Sequence, residues 1–133
     1  MAASPRALEL LAAAVRAADA TGAEDPVALD VSLPMPFADV FLIVTGNSER
    51  NVIAIADAIE DALGGRRPDI SITEPTSALR REGRDAGRWV LLDFNDLVVH
   101  VFHREDRLYY GLERLWLDCP AIPVREYLHE SAN

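Results

Sequence analysis

Asp93, Asp96 and Ser48 are the side chains whose types and spacing could support metal-dependent phosphoryl transfer. Nearby carboxylates can hold a divalent metal ion, and backbone N–H groups at a strand-to-helix junction such as Gly46–Ser48 can bind phosphate. A two-metal site needs two carboxylates at alternate positions of one strand face, whereas Asp39 opens a different strand. The pattern therefore favours a simpler interpretation, in which both aspartates flank a turn and either Asn47 or Ser48 caps a helix.

The histidines and the cysteine do not form a second reactive group. His100 and His103 are three residues apart on a predicted strand, so they point to opposite faces and cannot chelate one ion. His100 is predicted to be a core or interface histidine with a hydrogen-bonded ring. Cys119 precedes a proline and has no histidine nearby, which favours a buried thiol over a nucleophile. A single cysteine also agrees with a reducing compartment.

Composition narrows the class of partner. The chain has 133 residues, 50% of them hydrophobic, and a formal net charge of −9. It is long enough for one globular domain with a real core, and it has no apolar run long enough for a membrane span. The N-terminal alanine-rich stretch lacks the order of a signal peptide, so we expect a cytosolic location. Such an acidic chain should avoid phosphate backbones, and a basic protein partner suits it better, although the charge could serve solubility alone.

The hydrophobic pattern predicts an alternation of helices and strands. Residues 4–20 and 48–63 have helical spacing, and 105–116 is a third predicted helix. Strands are predicted at 27–31, 38–45, 88–94 and 97–103, and Ile70–Thr73 could be a short edge strand. Arg80–Asp85 is expected to be a charged loop. The order indicates an α+β or mixed α/β fold, with helices covering a mixed β-sheet.

The chain is predicted to form a single domain over residues 1–133. An N-terminal helix occupies residues 1–24, the core residues 25–118, and a tail residues 119–133. We expect this tail to lie over the domain and to end in a short helix.

The hairpin that turns at Asn95-Asp96 carries apolar side chains on both faces. Trp89, Leu91 and Asp93 share one face, and Val90, Leu92 and Phe94 share the other. Either helices cover both faces, or a partner covers one of them. Trp, Tyr and Arg are frequent anchors of protein interfaces, and ordinary core packing remains the alternative for Trp89 and Trp116.

Three blocks of this sequence resemble the ribosomal silencing factor family (RsfS, also called Iojap or YbeB). They are Asp39–Asp57 (DVFLIVTGNSERNVIAIAD), Gly87–Phe102 (GRWVLLDFNDLVVHVF) and Arg107–Trp116 (RLYYGLERLW). The resemblance covers most of residues 25–123. Asn95 departs from it, since the family has glycine there, and residues 65–80 look longer than the usual link. That longer link could alter docking or dimerisation.

The resemblance implies a nucleotidyltransferase-like topology without the catalytic residues, and therefore no enzyme activity, metal or cofactor. It implies binding to the large ribosomal subunit through ribosomal protein number fourteen (uL14 type), which blocks joining of the small subunit and represses translation, especially when nutrients are scarce. It also implies a homodimer away from the ribosome, with little direct contact to nucleic acid and none to membranes. The partner-binding residues carried over from the family are as follows: Trp89, Asp93, Phe94, Asp96, Arg107, Tyr110 and Leu112.

Two alternatives stay open at this point. A nucleotidyltransferase-like enzyme would use Ser48 and Asp93 with a divalent metal, although the second strand carboxylate is missing. A plain homodimerisation domain would instead pair the apolar face of the hairpin with a second copy of itself.

Overall fold

A computed structural model describes residues 3–107 and 118–131. Its elements in chain order are α1 (Pro5–Ala20), β1 (Glu24–Asp30), β2 (Val40–Gly46), α2 (Glu49–Leu63), β3 (Arg80–Glu82), β4 (Trp89–Asp93), β5 (Leu97–His103), β6 (Ala121–Ile122) and α3 (Arg125–Ser131). None of the described helices is long and apolar enough to cross a membrane. The predicted helix over 105–116 lies largely outside the described residues, together with Tyr110, Leu112 and Trp116.

The six strands form one mixed sheet in the order β3-β4-β5-β2-β1-β6. The central pair β2 and β5 runs parallel, from Val40 beside Leu97 to Gly46 beside His103. The other neighbouring pairs are antiparallel. Every residue of β2 is buried, because this strand lies mid-sheet. The mixed α/β fold with a helix-covered sheet is therefore confirmed.

Helices α1 and α2 cover one face of this sheet. Their apolar stripes pack together and onto the aliphatic side chains that face them from the strands. The Oγ of Ser4 accepts a hydrogen bond from the backbone N–H of Ala7 and caps α1. The carboxylates of Asp30 and Asp39 accept hydrogen bonds from the backbone N–H groups of Ala3 and Ser4, at 3.0 and 2.9 Å. These bonds fix the start of the helix against the sheet.

The turn between β4 and β5 has the predicted form. Asn95 adopts a φ of +76°, a backbone conformation that asparagine tolerates better than most residues. The Oδ1 of Asp93 accepts a hydrogen bond from the backbone N–H of Asn95 at 2.8 Å. The carbonyl of Asp96 accepts from the backbone N–H groups of Asp39 and Val40, so the turn also holds the start of β2.

Two expectations for the segment between α2 and β4 were wrong. Ile70–Thr73 forms no strand, because Ile70 and Ile72 pack against the helical layer and Thr73 donates its N–H to Glu9 on α1 at 2.8 Å. The edge strand is instead β3, Arg80–Glu82, which lies inside the expected charged loop. Its three exposed charged residues suit a sheet edge, where they discourage pairing with other chains.

The tail from Cys119 contributes to the sheet and to the helical layer. Strand β6 pairs with β1 through Ala28 beside Ile122 and Leu29 beside Ala121. The following helix α3 packs near α1, where the Nε of Arg16 donates to the carbonyl of Tyr127 at 3.2 Å. The expected helical end is confirmed, whereas strand β6 was not predicted.

Candidate partner-binding site

The sheet face opposite α1 and α2, called the second face below, holds its own apolar cluster. Its buried members are Leu29, Val31, Ala38, Phe41, Ile43, Phe102 and Cys119, with Val27, Trp89 and Val98 partly buried against them. This separation into two clusters follows from strand alternation, which sends Val90, Leu92 and Phe94 to the helical side. The predicted division of the hairpin between two apolar faces is confirmed.

Aromatic rings form the centre of the second face. The ring of Trp89 stacks on Phe102 with the centroids 5.0 Å apart, and Phe41 meets His100 edge-on at the same separation. Stacked and edge-on arrangements are the favoured geometries of such rings. The cluster therefore holds Trp89, which is only partly buried, in one orientation at the β4 side of the face.

His100 supports Trp89 through a hydrogen bond as well as through packing. The Nε1–H of Trp89 donates to the Nδ1 of His100 at 3.1 Å. Burial of the imidazole lowers the pKa of His100 from 6.5 to about 4, so the ring is neutral near pH 7. A neutral ring is what this bond requires, since Nδ1 can accept only when it carries no proton. The predicted hydrogen-bonded ring is confirmed, and of the two predicted locations, a core or an interface, His100 occupies the core.

The acidic members of the predicted site lie at the hairpin turn. The Asp93 carboxylate is partly buried, accepts from Asn95, and lies 4.0 Å from the guanidinium of Arg80. Asp96 is partly exposed on the turn itself. Phe94 differs from both, because its side chain is 4% exposed and packs in the helical core. The structure thus places two of these residues at the surface and one beneath it.

Arg107 anchors the chain where it leaves β5. Its guanidinium is buried, and it donates to the carbonyl of Asp25 at 2.7 Å and to the hydroxyl of Thr45. Thr45 lies on β2 and Asp25 on β1, so this side chain ties the end of the hairpin to the middle of the sheet. Arg107 thereby fixes the backbone just after β5.

Arg88 makes a second attachment at the same end of the sheet. Its guanidinium donates two hydrogen bonds of 2.7 Å to the carboxylate of Asp106 and lies 3.2 Å from Glu105 and 3.4 Å from Glu49. The hydrogen bond with Asp106 raises the pKa of Arg88, and the same bond lowers the pKa of Asp106. This two-bond contact between Arg88 and Asp106, called the Arg88 fork below, joins the start of β4 to the turn after β5, and the approach of Glu49 connects it to α2.

The residues of the enzyme hypothesis are not brought together. The Oγ of Ser48 accepts from the backbone N–H of Asn51 at 3.0 Å, which confirms that it caps α2. Ser48 follows the β2 end beside His103, whereas Asp93 pairs with Val98, about 16 Å away at roughly 3.3 Å per residue. Within residues 3–107 and 118–131, no three His, Cys, Asp or Glu side chains form a group that could hold a metal ion.

Sequence reasoning did not assign Phe41, His100 and Phe102 to the surroundings of Trp89 as one cluster. His100 and Phe102 occupy alternate positions of β5, and β5 is the antiparallel partner of the Trp89 strand. That spacing could have indicated part of the cluster. The position of Phe41 depends on the parallel pairing of β2 with β5, for which the sequence offers no local signal.

Comparisons with known proteins identify the family. A family model described as "Ribosomal silencing factor during starvation" matches residues 4–133. A ribosomal silencing factor of Halalkalibacterium halodurans is 44% identical, over 87% of this chain and 92% of the relative. That of Bacillus subtilis is 43% identical, over 84% of this chain and 87% of the relative.

A more distant relative and a crystal structure extend these matches. A mouse protein named "Mitochondrial assembly of ribosomal large subunit protein 1" is 29% identical, over 71% of this chain and 39% of the relative. A crystal structure from Bacillus halodurans superposes with a TM-score of 0.71 at 41% identity, covering 86% of this chain and 97% of that one. Sequence and fold agree with the two-faced sheet described above, and the chain belongs to the ribosomal silencing factor family.

Proposed function

We propose that this protein silences ribosomes by binding the large subunit through the β4–β5 hairpin and the second face of the sheet. The single observation that carries the proposal is that residues 4–133, which include the whole sheet, match the ribosomal silencing factor family. The name of the mouse relative, which refers to the ribosomal large subunit, supports the choice of that subunit. The activity would take place in the cytoplasm and would need neither catalysis nor a cofactor.

The binding residues divide by their burial. Trp89, Asp93 and Asp96 reach the surface and would touch the partner. Phe94 and Arg107 are buried, and they would act by holding the hairpin and the end of β5 in place. Tyr110 and Leu112 complete the proposed set on the segment that follows Arg107.

Charge supports a basic ribosomal protein as the direct contact. Many arginines of the described residues are already engaged by carboxylates, as Arg84 is by Asp57 and Arg104 by Glu24. A surface on which many cations are paired with carboxylates, in a chain whose net charge is −9, suits a basic protein better than ribosomal RNA. We propose ribosomal protein number fourteen as this contact, with little direct binding to RNA.

The mechanism would be steric occlusion. A protein seated on the subunit-joining face excludes the small subunit without turnover, so the degree of repression depends on affinity and concentration alone. A homodimer off the ribosome that uses the same second face would compete with this binding and would act as a reserve of inactive protein.

Sedimentation of the purified protein with bacterial large subunits tests this proposal. We expect co-pelleting with large subunits and, after small subunits are added, fewer joined ribosomes. Asp96→Lys should weaken binding about tenfold, since it places a cation against a basic surface. Glu74→Lys is the matched control, because it makes the same charge change at an exposed position on the segment beside α1.

The two lysine variants, which change the net charge equally, can contradict the proposed contact. If Asp96→Lys and Glu74→Lys weaken binding equally, the turn is not a contact and only the overall charge matters. Absence of co-pelleting by the unmodified protein would overturn the proposed function itself.

A further inference from the structure

The most exposed large hydrophobic side chains of the described residues lie in two loops. Leu33 is 81% exposed, Phe37 82%, Leu79 75% and Met35 37%. Three of them belong to the loop between β1 and β2, and Leu79 precedes β3. We call these four residues the turn-end patch. Single exposed hydrophobic residues are ordinary, whereas several of them in neighbouring loops indicate a binding surface.

Backbone hydrogen bonds bring the two loops to the same end of the sheet. The N–H of Leu79 donates to the carbonyl of Asp93 at 2.7 Å. On the other side of the turn, the N–H groups of Asp39 and Val40 donate to the carbonyl of Asp96 at 3.0 and 3.1 Å. The β4–β5 turn therefore lies between the two parts of the turn-end patch, and the patch flanks the proposed contact residues Asp93 and Asp96.

The backbone of the β1–β2 loop is restricted, which limits the positions of its apolar side chains before any partner binds. Pro34 and Pro36 restrict the backbone on both sides of Met35, whose N–H donates to the carbonyl of Val31 at 3.0 Å. The carboxylate of Asp30 accepts from both the N–H and the hydroxyl of Ser32, which fixes the start of the loop. A loop with so few conformations loses little entropy when it binds.

The charge beside the patch indicates the chemistry of its occupant. Asp96 forms no ion pair with any residue in the described ranges, and its carboxylate lies on the turn between the two loops. A second copy would bring another unpaired acidic turn to the same interface, between two chains that each carry −9. A phosphate backbone would be repelled in the same way. An apolar protein surface bordered by Lys or Arg meets neither objection.

We propose that the turn-end patch docks onto an apolar, basic-rimmed protein surface of the large subunit, and so extends the contact made by the hairpin. This inference rests on the proposed function and adds a second contact region to it. The hydrophobic side chains would supply burial, and Asp96 would set the orientation of the partner's cations.

Phe37→Ser in the full-length protein tests the inference, because this side chain is too exposed to be needed for folding. Binding to isolated bacterial large subunits should weaken about tenfold, which corresponds to roughly 1.4 kcal/mol. Phe37→Leu should restore most of the affinity, and Ser71→Ala, a small change at an exposed position in another loop, should leave it unchanged. Thermal unfolding and sedimentation velocity are measured on each variant.

The outcomes separate this inference from the proposed function. Unchanged binding by Phe37→Ser, in a series where Trp89→Ala loses affinity, would overturn the turn-end patch and leave the hairpin site standing. Loss of self-association by Phe37→Ser with full ribosome binding would overturn it in favour of a second copy as the occupant. No binding by the unmodified protein would overturn both proposals.

Discussion

The two faces of the sheet are built from different kinds of side chain. The face under α1 and α2 is largely aliphatic, with Leu42, Val44, Val99 and Val101 fully buried. The second face places aromatic rings and polar groups around Trp89, and its β4 side is only partly buried. Strand alternation alone separates these two sets. One sheet can therefore carry a largely aliphatic core on one side and, on the other, an apolar cluster whose partly buried margin is the proposed binding surface.

The division of roles has a structural basis in the polar groups of the second face. His100, Thr45 and Arg107 are buried there and hydrogen-bonded, which restricts neighbouring groups to one arrangement. Aliphatic packing under the helices has no such directional bonds. We therefore expect substitutions on the helical side to change stability and substitutions on the second face to change recognition first.

The largest expected effect compares two leucines on opposite faces. Leu42→Ala should lower the free energy of unfolding by about 3 kcal/mol, because it leaves a cavity in a fully buried site. Leu91→Ala, the same substitution at a partly buried site of the second face, should cost about 1 kcal/mol or less. Urea unfolding of both variants measures the difference. Equal losses would contradict the division of roles between the faces.

The stability of the second face should depend on pH, because buried His100 resists protonation in the folded protein. Its pKa of about 4 in the folded protein lies below the ordinary value of 6.5, so the unfolded chain binds a proton first as pH falls. The contribution of His100 is complete above about pH 6.5 and is lost progressively toward pH 4, by about 3 kcal/mol.

His100→Gln isolates this contribution from that of the carboxylates. The variant keeps an acceptor for Trp89 but has no proton to bind, so its unfolding free energy should fall less between pH 7 and pH 4. Denaturant midpoints across this range measure the slope. Parallel curves for the two proteins would show that His100 is not held neutral by burial.

The β4–β5 turn determines which side chains reach which face. Asn95→Val should destabilise the protein by about 1–2 kcal/mol, since a β-branched residue is strained at a φ of +76°. Asn95→Gly is the control and should keep or slightly raise the unfolding temperature. Calorimetry of the pair checks this. A tolerated valine would mean that the turn can relax without disturbing either face.

The smallest expected effect concerns Arg88, at the margin of both faces. Arg88→Gln should lower the urea midpoint only slightly, and high salt should reduce the difference, because the Arg88 fork is partly exposed. The pKa of Asp106 should rise toward its ordinary value, since the hydrogen bond that lowers it is removed. NMR titration of the carboxylate measures this shift. Arg66→Gln, at another surface ion pair, should leave Asp106 unchanged.

Local signals allowed the central elements to be predicted. The unbroken apolar run of β2, the helical spacing of α2 and the Asn95 turn each encode their conformation within a few residues. A helix cap at Asn47 or Ser48, and a hydrogen-bonded ring for His100 in a core or an interface, also followed from neighbours on the same element or hairpin. These features depend little on where distant parts of the chain fold.

The sheet edges could not be predicted in the same way. The alternating Ile70 and Ile72 suggested a strand. In the structure both side chains pack in the helical core, and the N–H of Thr73 donates to a carboxylate on α1. Strand β3 has no hydrophobic pattern, and β6 is two residues long and exists because β1 offers a free edge. For Arg107, the sequence did not indicate the buried contact with Thr45, since the two residues lie far apart in the chain. In each of these cases a contact between residues far apart in the chain determines the structure, and the local sequence does not indicate it.

The parallel pairing at the centre of the sheet has a consequence for synthesis. Val40 pairs with Leu97, more than fifty residues later, and the ladder runs on to His103. Closing so long a loop is entropically costly and slows folding. During translation the centre of the sheet cannot close before β5 has emerged, so Trp89 and its cluster cannot assemble until then. A protein of this design would gain its proposed binding surface only after β5 has been synthesised.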